Sequence, residues 1–198
     1  RLLDPSEGAV LLDGIDLRDL DPSELRRHIG FVPQETFLFS ASIADNIAFG
    51  VDKATHEQIR HAAELAGLAS DIESFADGYK TMVGERGITL SGGQKQRATL
   101  ARALLTDAPF LVLDDCLSSV DAQTEDEILR ALRSTIQEKT CVIISHRISA
   151  VKDADEIVVL DEGRIIERGS HQDLVQNGGL YADLYRQQQL TEELEHLA

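Results

Sequence analysis

The chain has 198 residues, 42% of them hydrophobic and 27% charged, proportions ordinary for a soluble globular domain large enough to carry a core and an inserted subdomain. A net charge of −16 argues against a nucleic-acid or anionic-membrane surface, since both need clustered Lys and Arg. No apolar run approaches the ~20 residues that cross a bilayer. Cys116 and Cys141 lack C-x-x-C spacing and His neighbours, so they read as free thiols, Cys141 buried in a strand, and not as zinc ligands.

In chain order, Gly8–Leu12 reads as a strand closed by the turn Asp13-Gly14. Asp21-Pro22-Ser23-Glu24 opens a helix to about His28, with Asp21 as N-cap, Pro22 at the first helical position and Glu24 reaching back. A short strand over Ile29–Val32 breaks at Pro33-Gln34. From Phe37 to Asp107 the pattern is helical, with a capping box at Thr55–Gln58 and a stop at Gly67. The Gly-rich stretch Gly84–Gly93 leads into a helix from about Gln94 to Leu105. The rhythm then becomes strand, helix, strand: Phe110–Asp114, Ala122–Gln137 and Cys141–Ser145. Continuous apolar strands separated by helices predict a parallel sheet, buried, with helices on both faces. Glu156–Leu160 and Arg164–Glu167 flank Asp161-Glu162-Gly163 as a hairpin, and Leu180–Ala198 is an amphipathic helix.

Two segments carry chemistry. Leu90-Ser91-Gly92-Gly93-Gln94 opens a helix, where bare backbone N–H groups and the helix dipole favour an anion. The strand Phe110–Leu113 ends in Asp114 and Asp115, two adjacent carboxylates whose repulsion a cation would relieve. Simpler readings exist for each: a flexible turn with Ser91 as a cap, and a strand-end Asp capping the next helix. Asp121 after Ser118-Ser119-Val120 reads on its own as the N-cap of the next helix. His146 follows the next strand, where a lone His is usually only a strand-end polar residue. His56 and His61 are five apart, a spacing that shares no helix face.

In order, Gln34, the Ser91–Gln94 segment, Asp114-Asp115, Asp121 and His146 resemble the Q-loop, signature motif, Walker B, D-loop and switch histidine of an ATP-binding cassette (ABC) nucleotide-binding domain. Phe37–Ser40 with Ile43 and Asn46-Ile47, and Val83–Gly87, are similar to the Q-loop region and X-loop of exporters, with Met82 where many members carry Glu. The resemblance implies an α/β fold: a P-loop NTPase-like parallel sheet core with an inserted α-helical subdomain. On it, residues 1–36 are a remnant of the core with the Q-loop, 37–107 the helical subdomain, and 108–198 the core with Walker B, D-loop and H-loop. It implies ATP and Mg²⁺ as cofactors, with Ser91, Gly92, Gly93, Gln94 and Asp121 binding nucleotide. Asp114 and Gln34 would meet the metal, and Asp115, His146 and Gln34 would be catalytic.

It further implies an ATPase powering an exporter, a second cassette closing over two ATP sites, and transmembrane domains reached through the Q-loop and X-loop. No nucleic-acid partner is implied, and the location would be the cytoplasmic face of the cell membrane. Two departures shape the expectation. No G-x-x-x-x-G-K-[ST] occurs, so this chain is expected to bind ATP weakly or not at all on its own, and to expose sheet edge and core. Asp115 stands where the family carries Glu, which suggests the degenerate-site half of a heterodimer whose signature completes the partner's site. The alternatives are a homodimer with slow hydrolysis, a non-catalytic subunit that completes a partner's site, or a soluble ABC ATPase acting on nucleic acid or ribosomes.

Overall fold

The computed structural model describes residues 1, 3–84, 87–137 and 139–196, and it separates into two compact units, Arg1–Val142 and Ile143–Ala198. The first unit begins with a small antiparallel pair, β1 (Leu11–Leu12) and β2 (Ile15–Asp16). Asp13 and Gly14 both take positive φ, 49° and 79°, as a tight two-residue hairpin requires. The strand expected from Gly8 is shorter because its partner ends at Asp16. That side chain accepts from the Arg18 N–H and starts a 3₁₀ turn over Leu17–Asp19. Hydrogen bonds from Arg18 hold the Asp16 carboxyl down at about 2.

Helix α1 (Pro22–Arg27) is capped as its sequence dictates, Asp21 accepting from the N–H groups of Ser23 and Glu24 at 2.9 and 3.0 Å. Glu24 does not reach back. Its carboxylate turns forward to Arg27 at 2.9 Å, the opposite charge three residues on.

The sheet runs β3 (Ile29–Val32), β4 (Phe110–Asp114) and β5 (Thr140–Ile144) in that order, with β3 and β4 parallel and Val32 opposite Leu113. It is not buried on both faces as expected. Gly30, Val32, Leu111 and Leu113 are buried, whereas Phe31, one residue out of step, is 54% exposed. In β5, Thr140, Val142 and Ile144 are exposed and Cys141 is only half-buried, so the buried strand expected there alternates instead. A helix covers the Gly30 face: a Cβ on Gly30 would come within 3.3 Å of the Ala103 carbonyl, so glycine is what lets that helix lie close. Among the described residues nothing buries Phe31 on the other side, which leaves apolar sheet surface open to water. Cys116, just beyond β4, is buried, and desolvation pushes its thiol up to about 12, unreactive at neutral pH.

The helix over Gly30 is α5 (Gly92–Leu105), which packs with α2 (Ile43–Ala48) and α3 (His56–Leu65); α4 (Ala69–Ser74) follows α3. The capping box at Thr55 and Gln58 is present, and Gly67 takes φ 64° beyond the end of α3. The helical stretch is interrupted. Ser42 bridges Met82, with the Ala41 and Thr81 carbonyls accepting from Val83 and Ile43, and Val83 bridges Ile88, with the Met82 and Ile88 carbonyls accepting from Ile88 and Gly84. Glu85 and Arg86 of the X-loop-like segment lie outside the described residues. Helix α6 (Ala122–Ile136) buries Ile128 and Leu132, with Ile128 against Gly67.

The second unit holds α7 (Ile148–Val151), the hairpin β6 (Ile157–Asp161) and β7 (Arg164–Gly169), then α8 (His171–Asn177) and α9 (Leu180–His196). Glu162 and Gly163 supply the two positive φ angles of its turn, 45° and 76°. Ile148, Ile157, Leu174 and Tyr181 form its core. Among the described residues no helix is long and apolar enough to cross a membrane.

Candidate functional site

Parallel pairing makes one edge of the sheet the place where chemistry collects. Val32 lies opposite Leu113, so Gln34 and the Asp114-Asp115 pair leave β3 and β4 at the same carboxyl edge. Gln34 is exposed; Asp114 and Asp115 are half-buried. Asp115 has φ 44°, a left-handed conformation that short Asp tolerates better than Glu, and its carbonyl accepts from the Ser118 hydroxyl at 3.0 Å. Among the described residues no three His, Cys, Asp or Glu side chains group into an all-protein metal cage. A carboxylate pair at a strand edge fits Mg²⁺, which keeps several waters and takes one or two carboxylates plus phosphate oxygens.

The Ser91–Gln94 segment has the helix cap that its simpler reading expects. Gln94 N–H donates to the Ser91 hydroxyl at 3.2 Å, and the Ser91 N–H donates to Gln94 Oε1 at 3.0 Å, a full capping box. Gln94 Nε2 also donates to Asp71 Oδ1 at 2.7 Å, while Asp71 Oδ2 pairs with Arg97 at 3.0 Å. The helix start is therefore fixed from within the chain, leaving its backbone N–H groups in a set position. Gly93 is buried, and a Cβ there would sit 2.8 Å from the Ser119 carbonyl; at Gly92 the nearest atom would be 3.4 Å away. Gly93→Ala is therefore expected to cost about 2 kcal/mol of stability by forcing the helix off the 118–120 turn. Gly92→Ala should be close to neutral by the same thermal denaturation, and equal losses would mean that close approach does not explain Gly93.

The same turn is gripped by Gln96, 4% exposed, whose Nε2 donates to the Ser118 hydroxyl at 3.0 Å and whose Oε1 accepts from the Ser119 N–H at 2.9 Å. Two residues on, Asp121 is exposed and accepts from the Thr124 N–H at 2.9 Å, which lowers its carboxyl below the usual range. Asp121 is thus an N-cap. Through Gln96 and Gly93 the start of α5 is tied to the segment entering α6.

Sequence reasoning passed over Gln96, although Gly93, Gln96, Leu100 and Ala103 form a buried helical stripe in which a lone glutamine needs partners. It passed over Asp71 as well, which no local spacing ties to Gln94. His146, exposed, belongs to the second unit, two residues beyond β5; its carbonyl accepts from Gln188 Nε2 at 2.7 Å.

Comparison with known proteins gives a single direction. The family described as "ABC transporter" matches residues 1–118. A "Mitochondrial potassium channel ATP-binding subunit" of Xenopus tropicalis is 51% identical over 95% of this chain and 28% of its own length. An "ATP-dependent lipid A-core flippase" of Desulfotalea psychrophila is 45% identical over 95% of this chain and 33% of its own. Among solved structures, a bacterial Atm1-family ABC exporter with ATP bound superposes with a TM-score of 0.91 at 43% identity, covering 95% of this chain and 33% of that one. The chain thus spans about a third of the length of the relatives it matches.

Proposed function

Because this chain belongs to the ABC transporter family and has the α/β fold of an exporter-type nucleotide-binding domain, we propose that it is part of the ATP-hydrolysing engine of an exporter. The observation that supports this reading is the parallel register of Val32 with Leu113, which ends β3 and β4 at one carboxyl edge just before Gln34 and the Asp114-Asp115 pair. On it, Asp114 and Gln34 hold Mg²⁺, Asp114 chiefly through bound water. The ion, when bound, neutralises charge on the phosphates. Asp115 orients and polarises the attacking water, assisted by Gln34 and His146. Ser91, Gly92, Gly93 and Gln94 present the start of α5 to the phosphates of a second cassette's ATP, where N–H groups and the helix dipole favour negative charge. Asp121 lies at the contact with that cassette.

The partners are therefore a second cassette and transmembrane domains, the latter met by the region after Gln34 and by residues 83–87, on the cytoplasmic face of a membrane. The domain division follows: core at 1–36 and 108–198, helical subdomain at 37–107.

The finer reading is the degenerate-site half of a heterodimer. Asp115 is one methylene shorter than Glu, which retracts its carboxylate by about 1 Å, and a misplacement of that size costs up to ~10²-fold in rate. The signature segment, by contrast, keeps its full capping box. Asp115→Glu in the intact transporter is expected to raise ATP turnover by up to ~10²-fold. It should also lower stability by about 1 kcal/mol, because the left-handed backbone at residue 115 suits Asp better. Turnover and melting temperature should therefore move in opposite senses. No gain in turnover, in any pairing, would favour a non-catalytic subunit that only completes its partner's site.

A further inference from the structure

Gln188 lies in the middle of α9, yet its side chain is spent on a segment about 40 residues upstream. Its Nε2 donates to the His146 carbonyl at 2.7 Å, and its Oε1 accepts from the Ile148 N–H at 2.8 Å. One amide thus closes both backbone bonds around Arg147, whose own N–H donates to the Ser145 hydroxyl at 3.0 Å. The geometry has a local cause. Ile148 opens α7, its N–H is one of the orphan donors of a helix start, and Arg147 provides no side-chain cap. Gln188 supplies that cap from a distant helix.

Both ends of the clamp are anchored within this unit. Ile148 is buried with Ile157, Leu174 and Tyr181. Tyr181, one helical face with Gln188 and 2% exposed, takes a hydrogen bond between its hydroxyl and His171 Nδ1 at 2.8 Å. Its N–H donates to Glu167 Oε1 at 3.3 Å, which ties the start of α9 to β7. A displacement of α9 therefore reaches the His146 backbone directly.

We infer that Gln188 is a positioning residue for His146, so that the carboxy-terminal helix sets how that histidine is presented to the nucleotide. The inference rests on the reading of His146 given above, and its test separates the two. In the intact transporter, Gln188→Met keeps length and packing but loses both bonds, and Gln188→Glu keeps only the acceptor. Hydrogen exchange at the Ile148 amide should quicken in Gln188→Met and remain slow in Gln188→Glu. The kcat for ATP should fall about tenfold in Gln188→Met, with KM within about twofold, and less far in Gln188→Glu. In a His146→Ala background, Gln188→Met should lower kcat no further, because both act through one group.

Unchanged Ile148 exchange in Gln188→Met would overturn the clamp. Faster exchange with unchanged kcat, in a protein that His146→Ala inactivates, would overturn the positioning role. Full turnover in His146→Ala alone would instead sink the catalytic reading of His146 and, with it, the purpose assigned to the clamp.

Discussion

Asp114→Asn in the intact transporter is expected to lower ATP turnover by about 10²–10³-fold, the range for losing one preorganised electrostatic contact to developing charge. Its melting temperature should stay level or rise slightly. The two signs have one origin. Asp114 and Asp115 are adjacent, half-buried carboxylates at the end of β4, and like charges side by side disfavour each other. Neutralising one lowers that like charge and, on the reading proposed above, removes a metal partner. Turnover at saturating Mg-ATP and thermal unfolding, measured on the same preparation, read both effects. A loss of several degrees with turnover intact would make Asp114 a structural cap and dismantle the metal assignment.

Much of the fold was legible because local chemistry determined it. Ile29–Val32 and Phe110–Asp114 are strands with the bounds their apolar runs suggest, and the caps at Asp21, Thr55 and Ser91 start helices where short polar side chains can reach orphan N–H groups. What failed was long-range. Continuous apolar strands read as buried on both sides, but burial depends on what covers each face, and among the described residues Phe31 and Val142 stay exposed. Helix α5 starts at Gly92, two residues early, since Ser91 caps it and Gly93 is helical despite its propensity. The preference of glycine for turns yielded to close packing on Ser119.

The candidate site was legible as a list of residues, whereas the contacts around those residues were not. Gln34, Asp114 and Asp115 could be ordered along the chain, but only the Val32–Leu113 register puts them on one edge. The side chains in contact with these candidate residues are uncharged or distant: in the first unit Gln96 under the turn before Asp121 and Asp71 behind Gln94, and in the second Gln188 on the His146 backbone. Gln96 and Gln188 each interrupt a helical stripe of apolar or aromatic residues, which is the trace such a support leaves in a sequence.

Arg102 supports the segment that follows Gln34, and its replacement should bring the largest loss of stability among these variants. Its Nε donates to the Asn46 carbonyl at 2.8 Å, and its two terminal nitrogens donate to the Phe37 carbonyl and to Asn46 Oδ1, both at 3.2 Å. The guanidinium also lies 5.7 and 5.6 Å from the ring centroids of Phe39 and Phe49. Asn46, 1% exposed, passes the restraint on: its Oδ1 accepts from the Phe39 N–H at 2.8 Å, and its Nδ2 donates to the Phe39 and Ser42 carbonyls at 3.0 Å each. The chain from 37 to 42, with little regular structure of its own, is thereby tied to α5. Burial lowers the Arg102 pKa from the ordinary arginine value, a sign that its charge is partly desolvated and that its hydrogen bonds count for more. Arg102→Ala leaves the Phe37 and Asn46 acceptors without that donor and should cost about 3 kcal/mol, combining charged hydrogen bonds with the two ring contacts. Arg102→Lys should recover less than half of it, since a point charge cannot span three acceptors while lying flat on two rings. Faster hydrogen exchange in Arg102→Ala should be confined to residues 37–48 and the α5 turn facing them. On the reading proposed above, in which the region after Gln34 meets transmembrane domains, loosening there weakens that coupling, so transport should fall more than ATP turnover. Equal losses of both, or a stability change under 1 kcal/mol, would mean that the arginine is one contact among many and not the tie that holds this segment.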